Sequence, residues 1–264
     1  MLRRYLRLLG VRLKASGLLA MQYRADFLVD GLISLFWMGT ALVPLFVVFQ
    51  DKSRHVQGWG FGESLLVIGW FTLLQGVLEG AINPSLSGVV EHIRNGTLDF
   101  VLLKPADAQF LVSTERFLPW RATNVVAALL IFAYGFHLLG RAPSPLGILV
   151  SLGLLATSVV LLYSLWILTV CAAFFVVKVD NLTYFFTSIF DAARWPAPVF
   201  RGALSFVFTF IIPLAVMTTF PAEALLGRLP WTSLVWAVGG SLLFAAGSRR
   251  VWRRALGHYT SASS

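Results

Sequence analysis

The sequence predicts an all-α membrane protein with six transmembrane helices. Three observations carry that prediction. Hydrophobic residues make up 58% of the 264-residue chain and charged residues only 12%, about half the charge of a soluble domain. Apolar runs of about 20 residues recur along the chain, the length a helix needs to cross a bilayer. Short alternating segments of the kind a β-barrel requires do not occur.

Taken in order, residues 1–24 are basic and amphipathic. At 100° per residue, Leu2, Tyr5, Leu6, Leu9 and Leu13 share one arc, and Arg3, Arg4, Arg7 and Lys14 occupy the opposite one. This suits an interfacial helix, apolar side in lipid and basic side toward anionic headgroups. A plain positive flank of the first span is the alternative; an apolar arc held over three turns favours the interfacial helix. Spans are expected at about 27–49, 63–83, 117–139, 146–177, 201–220 and 231–248. Asn83-Pro84 is expected to end the second and Pro213 to kink the fifth. The fourth is long for one crossing, so it tilts or extends beyond the bilayer. The first apolar run begins only near Phe27 and is too long for a signal peptide. The whole chain, 1–264, reads as one membrane domain.

Basic residues orient these spans. With the N-terminus inside, the inner segments hold 17 of the 21 lysines and arginines, among them Lys178, Arg194 and Arg201. Only Lys52, Arg54, Arg141 and Arg228 fall outside. The imbalance predicts that both termini are cytoplasmic. It also explains the net charge of +9 without invoking nucleic acid. The inner loops, near 84–116 and 178–200, are the long ones, so the working parts are expected on that side.

Residues with catalytic or ligand chemistry are scarce. There is no Walker A motif, so ATP is not expected to bind this chain. Ser87 lacks the glycine pattern of an intramembrane serine protease. The single Cys171 excludes an internal disulfide and a multi-cysteine metal site. Glu79 and Gln75 lie in the inner half of the second span, where Glu79 is expected to pair with a cytoplasmic arginine. Glu63 is expected to cap or meet the dipole of the second span, and His92 to be solvated. Asp26 and Asp30 are expected to meet Arg24 or another inner basic residue. Trp37, Trp59, Trp70, Trp120, Trp195, Trp231 and Trp252 mostly fall near span ends and read as interfacial anchors.

The segment 88–107 contains "EHIRNGTLDFVLLKP", Glu91 to Pro105. Asn95-Gly96 breaks a helix, Thr97 is a possible N-cap, and Asp99 suits the first turn of a second short helix. Leu98, Val101 and Leu102 lean to one side, and Phe100 and Leu103 to the other. Pro105 ends it. A short helix apolar on two sides has to be buried on two sides. The membrane domain can cover one; a cytoplasmic partner has to cover the other. A merely ordered connecting loop is the alternative.

Glu91, then Gly96-Thr97-Leu98-Asp99, then Leu102-Leu103 and Pro105, resembles the corresponding segment of ABC-2-type permeases, more narrowly a bacterial six-helix branch. Residues 193–228, with Pro196, Pro213, Pro221 and a Leu-Leu-Gly-Arg ending, resemble that branch's fifth span. The tail, at Trp252, Arg253, Leu256, Tyr259, Thr260 and Ser261, resembles its terminus. The likeness covers essentially the whole chain. It implies that 88–107 holds a coupling helix between the second and third spans, docked on a separate ABC ATPase. Glu91, Arg94, Gly96, Leu98, Asp99, Leu102, Lys104 and Pro105 are then the candidate contacts. It further implies two ATPase subunits that carry ATP and Mg, with no cofactor and no catalysis on this chain. A second permease, identical or paralogous, a bacterial plasma-membrane location and an export function complete the expectation. The alternative from another class is an ion-coupled secondary transporter, which would need polar groups at the bilayer midplane.

Overall fold

The computed structural model describes residues 2–22, 24–50, 55–175 and 180–259. Among these the regular structure is helical, apart from one isolated antiparallel bridge between Val56 and Trp59. The helices are α1 (Leu2–Gln22), α2 (Arg24–Val48), α3 (Phe61–Val77), α4 (Asn83–Arg94), α5 (Asp99–Leu102) and α6 (Ala108–Ser113). They continue as α7 (Thr123–Leu139), α8 (Pro145–Cys171), α9 (Asp180–Asp191), α10 (Ala203–Phe206), α11 (Phe220–Leu225) and α12 (Trp231–Leu256). Among the described residues four helices are long and apolar enough to cross a membrane: Phe61–Arg94, Pro119–Leu139, Pro145–Phe174 and Trp231–Leu256. The pair Ala203–Ile211 and Ala215–Leu225, bent by 68°, makes a fifth if it crosses as one. α2 lies where the first span was expected.

Helix α3 does not stop at Asn83-Pro84. It runs through a π turn, Leu78–Ile82, directly into α4 and ends at Arg94, 34 residues from its start. Pro84 has no N–H to give to the carbonyl of Gly80 four residues earlier. That carbonyl instead accepts from the Leu118 N–H at 2.8 Å. The wider turn and the outside donor together carry the helix across a proline that would otherwise break it. The same device recurs before Pro221, where a π turn spans Ala215–Thr219. There the freed Met217 carbonyl lies 3.1 Å from the Ser158 hydroxyl of α8.

Among the described residues α3 and α7 share the most extensive helix–helix contact. Gly62, Gly69 and Gly76, seven residues apart, face α7, and a methyl group added at any of them would meet Leu139, the Phe132 ring or Asn124 within 3.1 Å. A heptad of glycines lets two backbones approach where larger residues would hold them apart. The seam ends at an ion pair, Arg121–Glu79, at 2.6 Å, with Gln75 donating to Glu79 at 3.0 Å. The arginine partner expected for Glu79 is therefore Arg121. At the other end of α3, Glu63 accepts from the Gly60 N–H at 3.1 Å, capping the helix, and from Arg228 at 3.0 Å. Arg228 lies over the Trp59 ring, 4.0 Å from its centre.

The fifth predicted span is reshaped by Pro213. The 68° bend at Ile212–Leu214 separates its two helices. The stretch before it does not stay in a loop at the α4 end. Arg194 stacks on Phe71, and Trp195 packs beside Leu45, Phe49, Phe61, Leu65 and Ile68, toward the start of α3. Its non-helical backbone is satisfied by two threonines. Thr218 donates to the Ala193 carbonyl at 2.8 Å, and Thr219 accepts from the Ala197 N–H at 3.0 Å. Irregular backbone inside an apolar domain needs such partners. Arg194, counted with the inner charges, lies alongside α3 instead; Lys178, Lys52 and Arg54 lie outside the described residues. Setting Arg194 and Arg201 aside still leaves 15 inner basic residues against 4.

Several tryptophans expected as anchors are core residues. Trp59, Trp70 and Trp252 are buried, whereas Trp231 is exposed. Trp59 and Trp70 pack in one cluster with Ala222 and Leu225 of α11, and Trp252 packs on Phe174. The side chains of Arg24, Asp26, Asp30 and Trp37 lie outside what the structure describes.

Candidate functional site

The segment 88–107 sits at the α4 end of the 34-residue helix. α4 ends in a turn in which Gly96 adopts φ 65° and the Thr97 N–H closes back on the His92 carbonyl at 2.9 Å. A residue with a side chain is strained at such a φ, which accounts for the glycine. Thr97 does not act as the N-cap. The turn places Leu98 at that position without a side-chain cap, and the Thr97 hydroxyl instead meets His92 Nδ1 at 2.8 Å. His92 is thereby taken out of free solution: its Nε2 lies 3.3 Å from both carboxylate oxygens of Glu115.

The turn also fixes which face of α5 looks inward. Leu98 is 0% exposed and Val101 is buried beside it, in a core with Leu86, Val89 and Leu111. Phe100 is 69% exposed, Leu103 81% and Leu102 40%. The two-sided reading of α5 therefore holds, except that Leu102 joins the outer side. Glu91, Arg94, Lys104 and Pro105 are exposed, Gly96 and Asp99 half-buried. Leu98 is the one candidate contact whose side chain is wholly enclosed by its own chain. Phe100 and Leu103 were not among the candidates; the sequence separated them from Leu98 and Val101 without saying which side faces outward.

Three elements brace this segment. The first is α6, capped by Asp107, whose Oδ1 accepts from the Phe110 N–H at 3.0 Å. The second is the end of α12, where Arg249 grips both carboxylate oxygens of Asp107 and also donates to Gln109. Gln109 donates to the Tyr163 hydroxyl of α8 at 2.8 Å, and Ser113 meets the same hydroxyl at 2.7 Å. Further along, Trp252 of α12 and Tyr259 beyond its end pack edge-on against Phe174, and the Tyr259 hydroxyl lies beside the Leu98 backbone and Asp99. This gives the Trp252 and Tyr259 positions of the tail a physical role; Thr260 and Ser261 lie outside the described residues. The third is α1. Tyr5 stacks edge-on with Phe110 at 4.7 Å and accepts from the Asp107 N–H at 3.1 Å. Arg12 donates to the Leu111 carbonyl and, at 2.9 Å, to Thr114, while Ser16 accepts from the Phe117 N–H at 3.3 Å. Tyr5, Arg12 and Ser16 lie along one stripe of α1, so part of the arc expected in lipid is spent on protein. Leu6 and Leu13 stay exposed, as do Arg3, Arg4, Arg7 and Lys14.

Sequence reasoning missed the Asp107–Arg249 clamp. Asp107 before an apolar stretch is a readable N-cap, but nothing local connects it to a residue 142 positions away. Burial pushes Asp107 up; the hydrogen bonds from Arg249 and the Phe110 N–H, with the charges of Arg249 and Arg253, outweigh it and hold the carboxyl below its ordinary value. A depressed carboxylate stabilises the fold above its unfolded pKa of about 4, and that stabilisation is lost as pH falls through the folded value. Asp107→Asn is expected to lower Tm at pH 7 by about 2–4 °C, since a partly exposed charge-assisted clamp contributes on the order of 1 kcal/mol. The gap between the two proteins closes below about pH 4. A gap that stays constant with pH would show that the charge of Asp107 is not what matters.

Among the described residues no group of three or more His, Cys, Asp or Glu could hold a metal ion. The profile of the ABC-2 family transporter proteins matches residues 35–263, from within α2 to the tail. The chain belongs to the ABC-2 transporter family. No curated protein and no solved structure matches it significantly. An ABC-2 chain is the membrane component of an ABC transporter, a multi-pass permease. In this ABC-2 permease the segment after the α3–α4 helix has an inner face locked into its own core and an outer apolar face left open.

Proposed function

We propose that this chain is the membrane-spanning subunit of an ATP-driven exporter whose ATPase is a separate protein, and that segment 88–107 is where the two meet. The observation that carries this is the exposed apolar triplet of Phe100 and Leu102 on a four-residue helix and Leu103 just after it, braced from three directions. An apolar patch of this kind marks a docking site, and a braced segment transmits a push instead of absorbing it. Around it, Glu91, Arg94, Lys104 and Pro105 form a polar rim, with Gly96, Asp99 and Leu98 shaping the turn beneath. ATP and Mg belong to the ATPase, two copies of which serve two permease chains, identical or paralogous. On this reading α2 completes six crossings, both termini are cytoplasmic in a bacterial plasma membrane, and α1 lies in the interface. The ion-coupled alternative has less to stand on, because Glu79 is already paired with Arg121 near the end of its span.

Cysteine accessibility tests the docking. The native Cys171 is buried, so a single introduced cysteine can be followed against it. Leu103→Cys is expected to react with a maleimide in the free permease and to be protected in the complex with the ATPase. Leu98→Cys is expected to be unreactive in both. Equal labelling of Leu103→Cys in both states would overturn the docking assignment.

A further inference from the structure

A cavity of about 140 Å³ lies between α1, the α4–α5 turn and α6, lined by Arg12, His92, Thr97, Phe100, Lys104 and Glu115 among others. It is large enough for several water molecules and hence for a tetrahedral oxyanion. Two fixed cations and one carboxylate face it; counting His92 as neutral, it carries one uncompensated positive charge. The partners of this carboxylate are His92, at 3.3 Å, and Arg12 through its charge. Lys104 has no carboxylate partner among the described residues. A ligand bearing one negative charge would balance the site, with the Lys104 ammonium as its donor.

We infer that this cavity binds the phosphodiester headgroup of an anionic phospholipid. A phosphodiester carries one charge, whereas a phosphomonoester carries nearly two at neutral pH and would overshoot. Arginine and lysine are the residues suited to phosphate oxygens. The chain attached to the headgroup has somewhere to go: α1, which forms one wall, exposes Leu6 and Leu13 beside its basic face. Phe100 lies on the cavity rim and in the open triplet of α5, so an occupied cavity would stiffen the α5 turn from behind. The binding itself does not depend on the ATPase reading.

The test is native mass spectrometry of the full-length chain taken from nanodiscs of phosphatidylglycerol or phosphatidylcholine, counting retained lipid. Phosphatidylglycerol is expected to be retained preferentially. Lys104→Gln is expected to weaken that retention about fivefold, the effect of one basic residue near an anionic headgroup. Arg141→Gln, exposed between α7 and α8 and outside the cavity lining, is expected to leave it unchanged. Lys104 is exposed, so its loss does not threaten folding. Equal retention of phosphatidylcholine, or equal losses in the two variants, would overturn the site. Glycerophosphoglycerol and inorganic phosphate are added separately as competitors. Failure of both to displace the lipid at millimolar concentration supports a lipid ligand; displacement by either would overturn the lipid assignment in favour of a soluble anion.

Discussion

Phe100→Asp is expected to abolish stable association with the ATPase while leaving the permease folded. Phe100 is exposed in the free chain and contributes little to its core, so the cost to folding should stay near that of a surface substitution, within about 0.5 kcal/mol. At an interface the same ring is an anchor. Truncating a well-packed aromatic contact costs about 2–4 kcal/mol, and an aspartate adds the cost of desolvating a charge. Affinity should fall by at least about thirtyfold, read from co-purification or from titration of permease-stimulated ATPase activity. Leu98→Ala supplies the contrast. It removes a fully buried side chain from the packing under the turn, so it should destabilise the permease by about 2–5 kcal/mol. If Leu98→Ala impairs ATPase binding with no change in Tm while Phe100→Asp binds normally, the assignment of inner and outer faces is reversed.

The second large effect is expected from Gly76→Val. The added Cβ would lie 2.8 Å from the Asn124 Cβ and 3.3 Å from the Arg121 carbonyl. A carbonyl held in a helix cannot rotate away, so α7 must move. Moving it strains the Arg121–Glu79 ion pair and the Leu118–Gly80 hydrogen bond that carries the helix past Pro84. Overpacking alone costs about 1–3 kcal/mol, and an unpaired buried carbonyl adds about as much again. Tm should fall by at least about 5 °C, or the protein should fail to accumulate in the membrane. Gly239→Val on α12 is the control, since nothing lies within 4 Å of its added methyl. A Gly76→Val protein as stable as the Gly239→Val one would mean that α3 and α7 do not pack through glycine.

These predictions show which features were legible in the sequence. Long apolar runs announce helices because burying or spanning 20-odd residues leaves little other choice. The Gly96 turn, the Pro213 bend and an arginine for Glu79 were readable because each follows from one residue's local chemistry. What escaped were relations between distant segments. Pro84 and Pro221 looked like helix ends because the donors that rescue their orphaned carbonyls, Leu118 and Ser158, come from elsewhere in the chain. Residues 192–197 read as loop because Thr218 and Thr219, which hold them inside, cannot be recognised from the loop itself. In α5 the two faces were visible, yet the inward one was set by the angle of the turn before it. A helix of four residues has too few positions to define its own rotation.

The uninterrupted rod from Phe61 to Arg94 has a mechanical consequence. At 1.5 Å per residue its 34 residues span about 50 Å, more than the roughly 30 Å hydrocarbon core. One end carries the α4–α5 turn; the other is latched by Glu63 to Arg228 over Trp59. The glycine seam with α7 runs along the Phe61 half of the rod, from Gly62 to Gly76, and the π turn at Leu78–Ile82 is the only departure from α-helical winding. A sideways thrust at Arg94 is therefore resisted along the whole Gly62–Gly76 seam and not at one point. The rod is a cantilever clamped at its Phe61 end, with the α4–α5 turn carried at the tip of the arm.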